Sequence, residues 1–195
     1  MSGRENIISD DDVEIVHISD EHEDVIKSFE TDAEELKKFL VEDAIRNQKL
    51  LISNTSLLFY KPEGRVIAYI TFLADAIEIQ GTPLRSSFLK KGIRYSTMPA
   101  LKIGRLCVDK NYECRGVGTK LIIFAFMQAI ELNEIAACRF LTVDAKLETA
   151  ADEFYERMGF IVLPRQPDVR NSGEETAFMY VDLLHVDKHI AKLSD

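Results

Sequence analysis

Apolar positions along the chain switch between a period of two and a period of 3.6 residues, and the switches mark its elements. Val13, Ile15 and Ile18 suggest a short first strand. Leu36, Phe39, Leu40 and Ala44 then follow at helical spacing. Thr31 or Asp32 is the expected cap, and Glu34 and Glu35 occupy the first turn, where the helix dipole favours negative charge. Two apolar runs, Thr55 to Tyr60 and Val66 to Leu73, flank a turn holding Pro62 and Gly64, which predicts a β-hairpin. Ile77 and Ile79 extend its second strand or start another element. Residues 81–99, with Gly81, Pro83, Gly92 and Pro99, read as an irregular connection. Leu101 to Val108 is a strand, Thr119 to about Glu134 a long helix, Arg139 to Val143 a strand and Glu148 to Met158 a helix. A loop over 164–175 leads to a last strand, Ala177 to Leu183, and a short helix is possible after Val186. The layout is mixed α/β: an antiparallel hairpin, then a strand–helix–strand–helix unit.

Composition narrows the classes. With 195 residues, 46% hydrophobic and 29% charged, the chain has the make-up of one soluble globular domain, which excludes fibrous and wholly disordered proteins. The longest apolar stretch, Leu121 to Ile130, is interrupted by Gln128 and falls far short of the ~20 residues of a membrane span. No basic segment followed by an apolar one opens the chain, so no secretory signal is expected. Cys107, Cys114 and Cys138 form neither a CxxC nor a Cys/His pattern and read as reduced thiols of a cytoplasmic protein. The expected organisation is a mobile acidic tail over 1–12, one domain over 13–184 and an extension over 185–195 that could be helical.

Charge is uneven. The net −9 divides into −11 over residues 1–43 and +2 over the rest, and eight Lys/Arg lie between Arg85 and Arg115 against Asp109 and Glu113 alone. The body therefore carries a basic region able to meet an anion, although a solvated face accounts for it equally well.

The chemistry concentrates where the strand ending at Val108 runs through Asn111-Tyr112-Glu113-Cys114-Arg115-Gly116-Val117-Gly118 into the long helix. The first N–H groups of a helix lack internal acceptors and carry partial positive charge, so this junction is a candidate anion site. Gly116 and Gly118 admit close approach of an oxygen-rich ligand, and Arg115 and Lys120 add charge. It is not a dinucleotide fingerprint, because Leu121 stands where a third glycine belongs, and no Gly-Lys-Ser/Thr of a P-loop occurs. By itself the turn could be purely structural. In the segment Glu148 to Phe160, Phe154 and Met158 should face the core and Gly159 should stop the helix, which leaves Tyr155 as the side chain with chemical potential or an ordinary half-buried aromatic.

Ile103-Gly104-Arg105-Leu106-Cys107-Val108-Asp109, the glycine turn, and Phe154-Tyr155-Glu156-Arg157-Met158-Gly159-Phe160 occur in an order that resembles the GNAT superfamily of acetyl-CoA-dependent N-acetyltransferases. The family's acyl-CoA motif, Gln/Arg-x-x-Gly-x-Gly/Ala, here reads Glu113-x-x-Gly116-x-Gly118, so a carboxylate replaces a neutral or basic side chain at the first position. The family often has an Asn shortly before the alanine of the last motif, where this chain has Glu148 ahead of Ala151. The resemblance implies a central mixed, mostly antiparallel sheet with a splayed parallel strand pair and helices on both faces. It implies acetyl-CoA as co-substrate, with the pantetheine arm on backbone groups of Leu106, Cys107 and Val108. The pyrophosphate would lie on the N–H groups of Glu113, Cys114, Arg115, Gly116, Val117, Gly118 and Thr119. Direct transfer from thioester to amine then needs a deprotonated amine, a donor to the carbonyl oxygen near Val108, and a proton for the departing thiolate. Tyr155 matches the family's general acid. A phenol of pKa about 10 can protonate a thiolate of about 8.5, although weakly on equilibrium grounds.

The base is open. Asp75, Glu78 and Asp109 read as surface carboxylates before they read as bases, and deprotonation through water needs none of them. Cys107 reads as packing rather than as a nucleophile. His17, His22, His185 and His189 lie outside every motif, and no metal site is expected. Tyr69, Phe72, Tyr95 and Met98 could line an acceptor pocket, although core packing explains the first two equally well. Asp32, Leu36, Phe39, Leu40, Tyr69 and Phe72 also resemble the GNAT subgroup of toxins that acetylate aminoacyl-tRNA. The Arg85–Arg115 cluster fits such a substrate and the acidic first 43 residues oppose it, so nucleic acid is not the favoured partner here. An amine acceptor of unknown identity, a possible homodimer, and a CoA-binding module without catalysis complete the alternatives.

Overall fold

In the computed structural model, residues 7–147, 151–164 and 176–186 are described, and they form two compact units. Residues up to Leu73 with Gly104–Ile122 make the first, and Ala74–Ile103 with the residues from Ile123 onward make the second. Seven strands, β1 (Val13–His17), β2 (Asn54–Tyr60), β3 (Arg65–Glu78), β4 (Thr97–Val108), β5 (Phe140–Lys146), β6 (Ile161–Val162) and β7 (Thr176–Asp182), hydrogen-bond in the order β1-β2-β3-β4-β5-β7-β6. The fold is mixed α/β with a mostly antiparallel sheet and one parallel pair, β4 with β5.

In the first unit, β1 pairs antiparallel with β2 from Val13↔Tyr60 to His17↔Ser56, and β2 with β3 from Asn54↔Phe72 to Tyr60↔Arg65, as the hairpin pattern predicts. The helical stretch is α1 (Glu34–Lys38), a wider π turn over Phe39–Asp43, and α2 (Ala44–Lys49). Phe39, Leu40 and Ala44 are buried with Ile26, Phe29, Leu57 and Tyr69 in one core, each large side chain contributing roughly 1.5–3 kcal/mol. The expected cap is corrected: Ala33 holds the cap position, and Thr31 instead accepts the Ala33 N–H at 3.2 Å. Gly104 lies so close under β3 that a Cβ there would sit 2.6 Å from Leu73 Cδ2.

In the second unit, the parallel ladder runs from Ala100↔Phe140 to Ile103↔Val143, and β5 pairs antiparallel with β7 from Phe140↔Asp182 to Lys146↔Thr176. The stretch expected to be irregular contains α3 (Pro83–Lys90). Its proline sits in the first turn, where a missing N–H costs nothing, and Gly92 leaves it at φ +77°, so the residues read as loop markers are a helix start and a helix stop. Phe88 of α3 packs into a core with Ile77, Ile79, Met98, Phe140 and Phe178. The helix α4 (Val117–Leu132) leads to β5 through a turn closed by Asn133, whose side-chain amide bonds Ala129 O and both backbone groups of Cys138 at 2.9 Å. The described part of the next helix is α5 (Ala151–Arg157). Glu148, most of the 164–175 loop and the helix expected after Val186 lie outside the described residues.

Candidate active site

β4 continues five residues beyond Ile103, the last of its residues paired in the parallel ladder, and this extension carries Leu106, Cys107 and Val108. Cys107 is 6% exposed, its Sγ 3.4 Å from Thr31 Oγ1 in the first unit's core. Burial pushes its thiol up to about 11, so it stays protonated near neutral pH and is no acyl-accepting thiolate. Leu106, Cys107 and Val108 therefore bring no reactive side chain to this stretch.

The strand ends in Asp109, read from the sequence as a surface carboxylate. It is fully buried. One oxygen accepts the Asn111 N–H at 3.0 Å and its side-chain amide at 2.9 Å, while the other accepts the Glu30 N–H at 2.8 Å and lies 3.9 Å from Arg65. With both oxygens committed, Asp109 is a structural clamp that fixes the short 3₁₀ turn Lys110–Tyr112, and it is not placed to act as a base. Tyr112 is the second anchor. It is buried edge-on to Tyr60, donates its hydroxyl to Glu63 in the β2–β3 turn, and carries the Arg115 guanidinium 5.2 Å above its ring. Burial, followed by the Glu63 carboxylate, raises its hydroxyl to about 12.

Beyond these anchors the backbone enters the left-handed region at Cys114 (φ +57°) and again at Gly116 (φ +77°). Gly116 O accepts the Lys120 N–H at 3.2 Å, which starts α4 and leaves the N–H groups of Val117, Gly118 and Thr119 in its first turn without helical acceptors. The arrangement fits a diphosphate: successive backbone donors, a helix N-terminus, and the cations Arg115 and Lys120. Glu113 and Cys114 are exposed, so the departing carboxylate of Glu113 is not folded into the turn and its backbone remains part of it.

In the second unit, α5 presents Tyr155. The helix stops at Gly159, φ +91°, as expected. The burial expectation holds for Met158, which is 8% exposed, and reverses for its neighbours: Phe154 is half-buried and Tyr155 is 6% exposed, its ring 5.3 Å from Phe154 and 5.2 Å from Phe160. This apolar setting raises its hydroxyl pKa, so the phenol keeps its proton throughout the neutral range.

The remaining candidates are placed plainly. Tyr69 is a core residue that donates its hydroxyl to Leu36 O at 2.8 Å, Phe72 is 8% exposed, Met98 belongs to the second unit's core, and Tyr95 is 74% exposed. Asp75 accepts the Thr142 hydroxyl at 3.0 Å, and Glu78 accepts the Gln80 N–H at 3.0 Å. His17 bonds Asn54, and His22 bonds Ser19. Among the described residues, no cluster suited to a metal ion occurs and no helix is long and apolar enough to cross a membrane.

Residues 54–162, more than half of the chain, match the family model described as the acetyltransferase (GNAT) domain. The chain belongs to this family of acetyltransferases, and its acyl donor is acetyl-CoA. Among solved structures, it is similar to a tyrosine-to-phenylalanine mutant of KacT at 23% identity over 91% of this chain and 98% of that one, with a TM-score of 0.77. It is likewise similar to AtaT complexed with acetyl-methionyl-tRNAfMet (24% identity, 91% and 98% covered, TM-score 0.76) and to AtaTR bound with AcCoA (22%, 95% and 99%, 0.68).

Proposed function

We propose that the protein is a cytoplasmic N-acetyltransferase that moves an acetyl group from acetyl-CoA directly to a primary amine, with Tyr155 as general acid. The observation that carries this reading is a glycine turn fitted to a diphosphate in a chain of the GNAT family. The pantetheine arm bonds the backbone of Leu106–Val108, and the residues Glu113–Thr119 hold the pyrophosphate. The neutral amine attacks the thioester carbonyl. The C–N bond forms, a strand N–H near Val108 steadies the oxyanion, and the C–S bond breaks. The amine's proton leaves to water, and Tyr155 gives its proton to the sulfur and regains one from water. Apolar surroundings that raise the phenol's pKa also raise that of a thiol, which keeps the transfer within reach.

The acceptor we favour is the α-amino group of an aminoacyl-tRNA. Likeness to the tRNA-bound AtaT supports it, and so does the surface of α3 and its exit, where Lys90, Lys91 and Arg94 are exposed beside the exposed ring of Tyr95. The acidic first 43 residues oppose it less than their sum suggests. Asp10, Asp20, Glu30 and Asp43 are each engaged by a lysine or arginine from beyond residue 43. Labelled acetyl-CoA offered with aminoacylated tRNA, deacylated tRNA and a set of free amines tests this. Label on aminoacylated tRNA alone is expected. Label on free amines alone would leave the transferase reading standing and remove the tRNA.

A further inference from the structure

We propose that the segment Ile7–Asp12 forms a further wall of the phosphate cradle, and that Asp10 sets the protein's affinity for CoA by competing with the pyrophosphate for Lys120. The inference rests on the reading of Glu113–Thr119 as the pyrophosphate site. Expected from the sequence to belong to an acidic tail, these residues lie directly against the glycine turn. Ile8 is 3% exposed and donates its N–H to Arg115 O at 3.2 Å. Ile7 Cγ2 stands 3.4 Å from where a Cβ on Gly116 would be. At the other end, Lys61 donates its N–H to Asp12 O at 2.8 Å and its ammonium to Asp11 O at 2.9 Å.

Between these two fastenings, the Asp10 carboxylate pairs with the ammonium of Lys120, in the first turn of α4. The pair is lopsided: the Asp10 side chain is 89% exposed and that of Lys120 is 18% exposed. The lysine is thus held in place by the protein, while its partner remains in water and gives way to a more highly charged anion at little cost. Asp10 orients Lys120 before CoA arrives and takes it back afterwards. Because acetyl-CoA and product CoA carry the same phosphates, this exchange weakens both and favours release of product.

Calorimetric titration of CoA into the full chain, D10N, K120M and the double variant tests the wall. D10N is expected to bind CoA about two- to fivefold more tightly at low ionic strength, the range of an exposed ion pair. At about 0.5 M salt the gain shrinks. K120M is expected to bind about tenfold more weakly, and adding D10N to it should then change nothing. The gain should persist with 3′-dephospho-CoA, and a gain confined to CoA would overturn the assignment to the pyrophosphate. Unchanged affinity in D10N, with CoA bound normally by the unaltered chain, overturns the wall and leaves the cradle intact. Failure of the unaltered chain to bind CoA removes both.

Discussion

Asp109 at the exit of β4 and Tyr155 on α5 are both acids taken out of water, and they are held there in opposite ways. Asp109 is enclosed by donors, three N–H groups within 3.0 Å and a guanidinium beyond, so its oxygens are spent on shaping the chain. Tyr155 is enclosed by rings, which bind its carbon face and raise the cost of losing its proton. The difference separates a residue that shapes the chain from the one proposed above as the general acid. A buried polar atom whose bonds are all internal has nothing left for a substrate, whereas one buried by apolar contact keeps its proton to give.

Replacing Asp109 by Ala should show the larger effect. It takes the acceptor away from the N–H groups of Glu30 and Asn111, and a loss of about 1–3 kcal/mol in urea unfolding is expected. A loss below about 1 kcal/mol would mean that those donors find other partners, and the contrast would collapse from the Asp109 side. Tyr155→Phe probes the other member. Turnover should fall at least tenfold, about 1.4 kcal/mol of barrier, while CoA affinity is kept and stability changes by less than about 1 kcal/mol. A rate equal to that of the unaltered enzyme would return Tyr155 to the core.

Cys107 sharpens the comparison, because it is a third buried acid and, like Tyr155, is raised chiefly by desolvation. Its folded pKa of about 11 exceeds the ordinary 9.0, so above pH 9 the unfolded chain gives up a proton that the native state retains. Stability must then fall as pH rises through that window, by about 1 kcal/mol between pH 8 and 10. Cys107→Ala should flatten that part of the profile, measured as the difference between the two unfolding curves, and identical slopes would show that the thiol titrates freely.

The sequence is most transparent where one residue type answers to one local rule. Two apolar runs about Pro62 and Gly64 announced the β2–β3 hairpin, Gly159 the end of α5, and Gly116 the left-handed turn ahead of α4. It is least transparent where a rule has two outcomes. Pro83 opens a helix as readily as it breaks one, and a connection holding two prolines and two glycines concealed α3. Helical spacing marked Phe154 for the interior, and a burial assignment one residue away was decided by tertiary packing against Phe160. Asp109 could be recognised only through Glu30, 79 residues earlier, a pairing that no local pattern contains. Its one local sign was the Asn two positions on, whose N–H it caps.

The π turn at Phe39–Asp43 gives the helical stretch a spare residue. Such a turn spans one more position than an α turn, and here the Ala44 N–H reaches back to Phe39 O. Phe39 and Leu40 within the turn and Ala44 just after it are all buried. Shortening the chain by one residue within the turn would let an ordinary α-helical turn bridge the gap, with Leu40 and Ala44 still directed inward. The wall of the first unit's core is therefore built with slack in its chain length, at a place where a regular helix of the same span would have none.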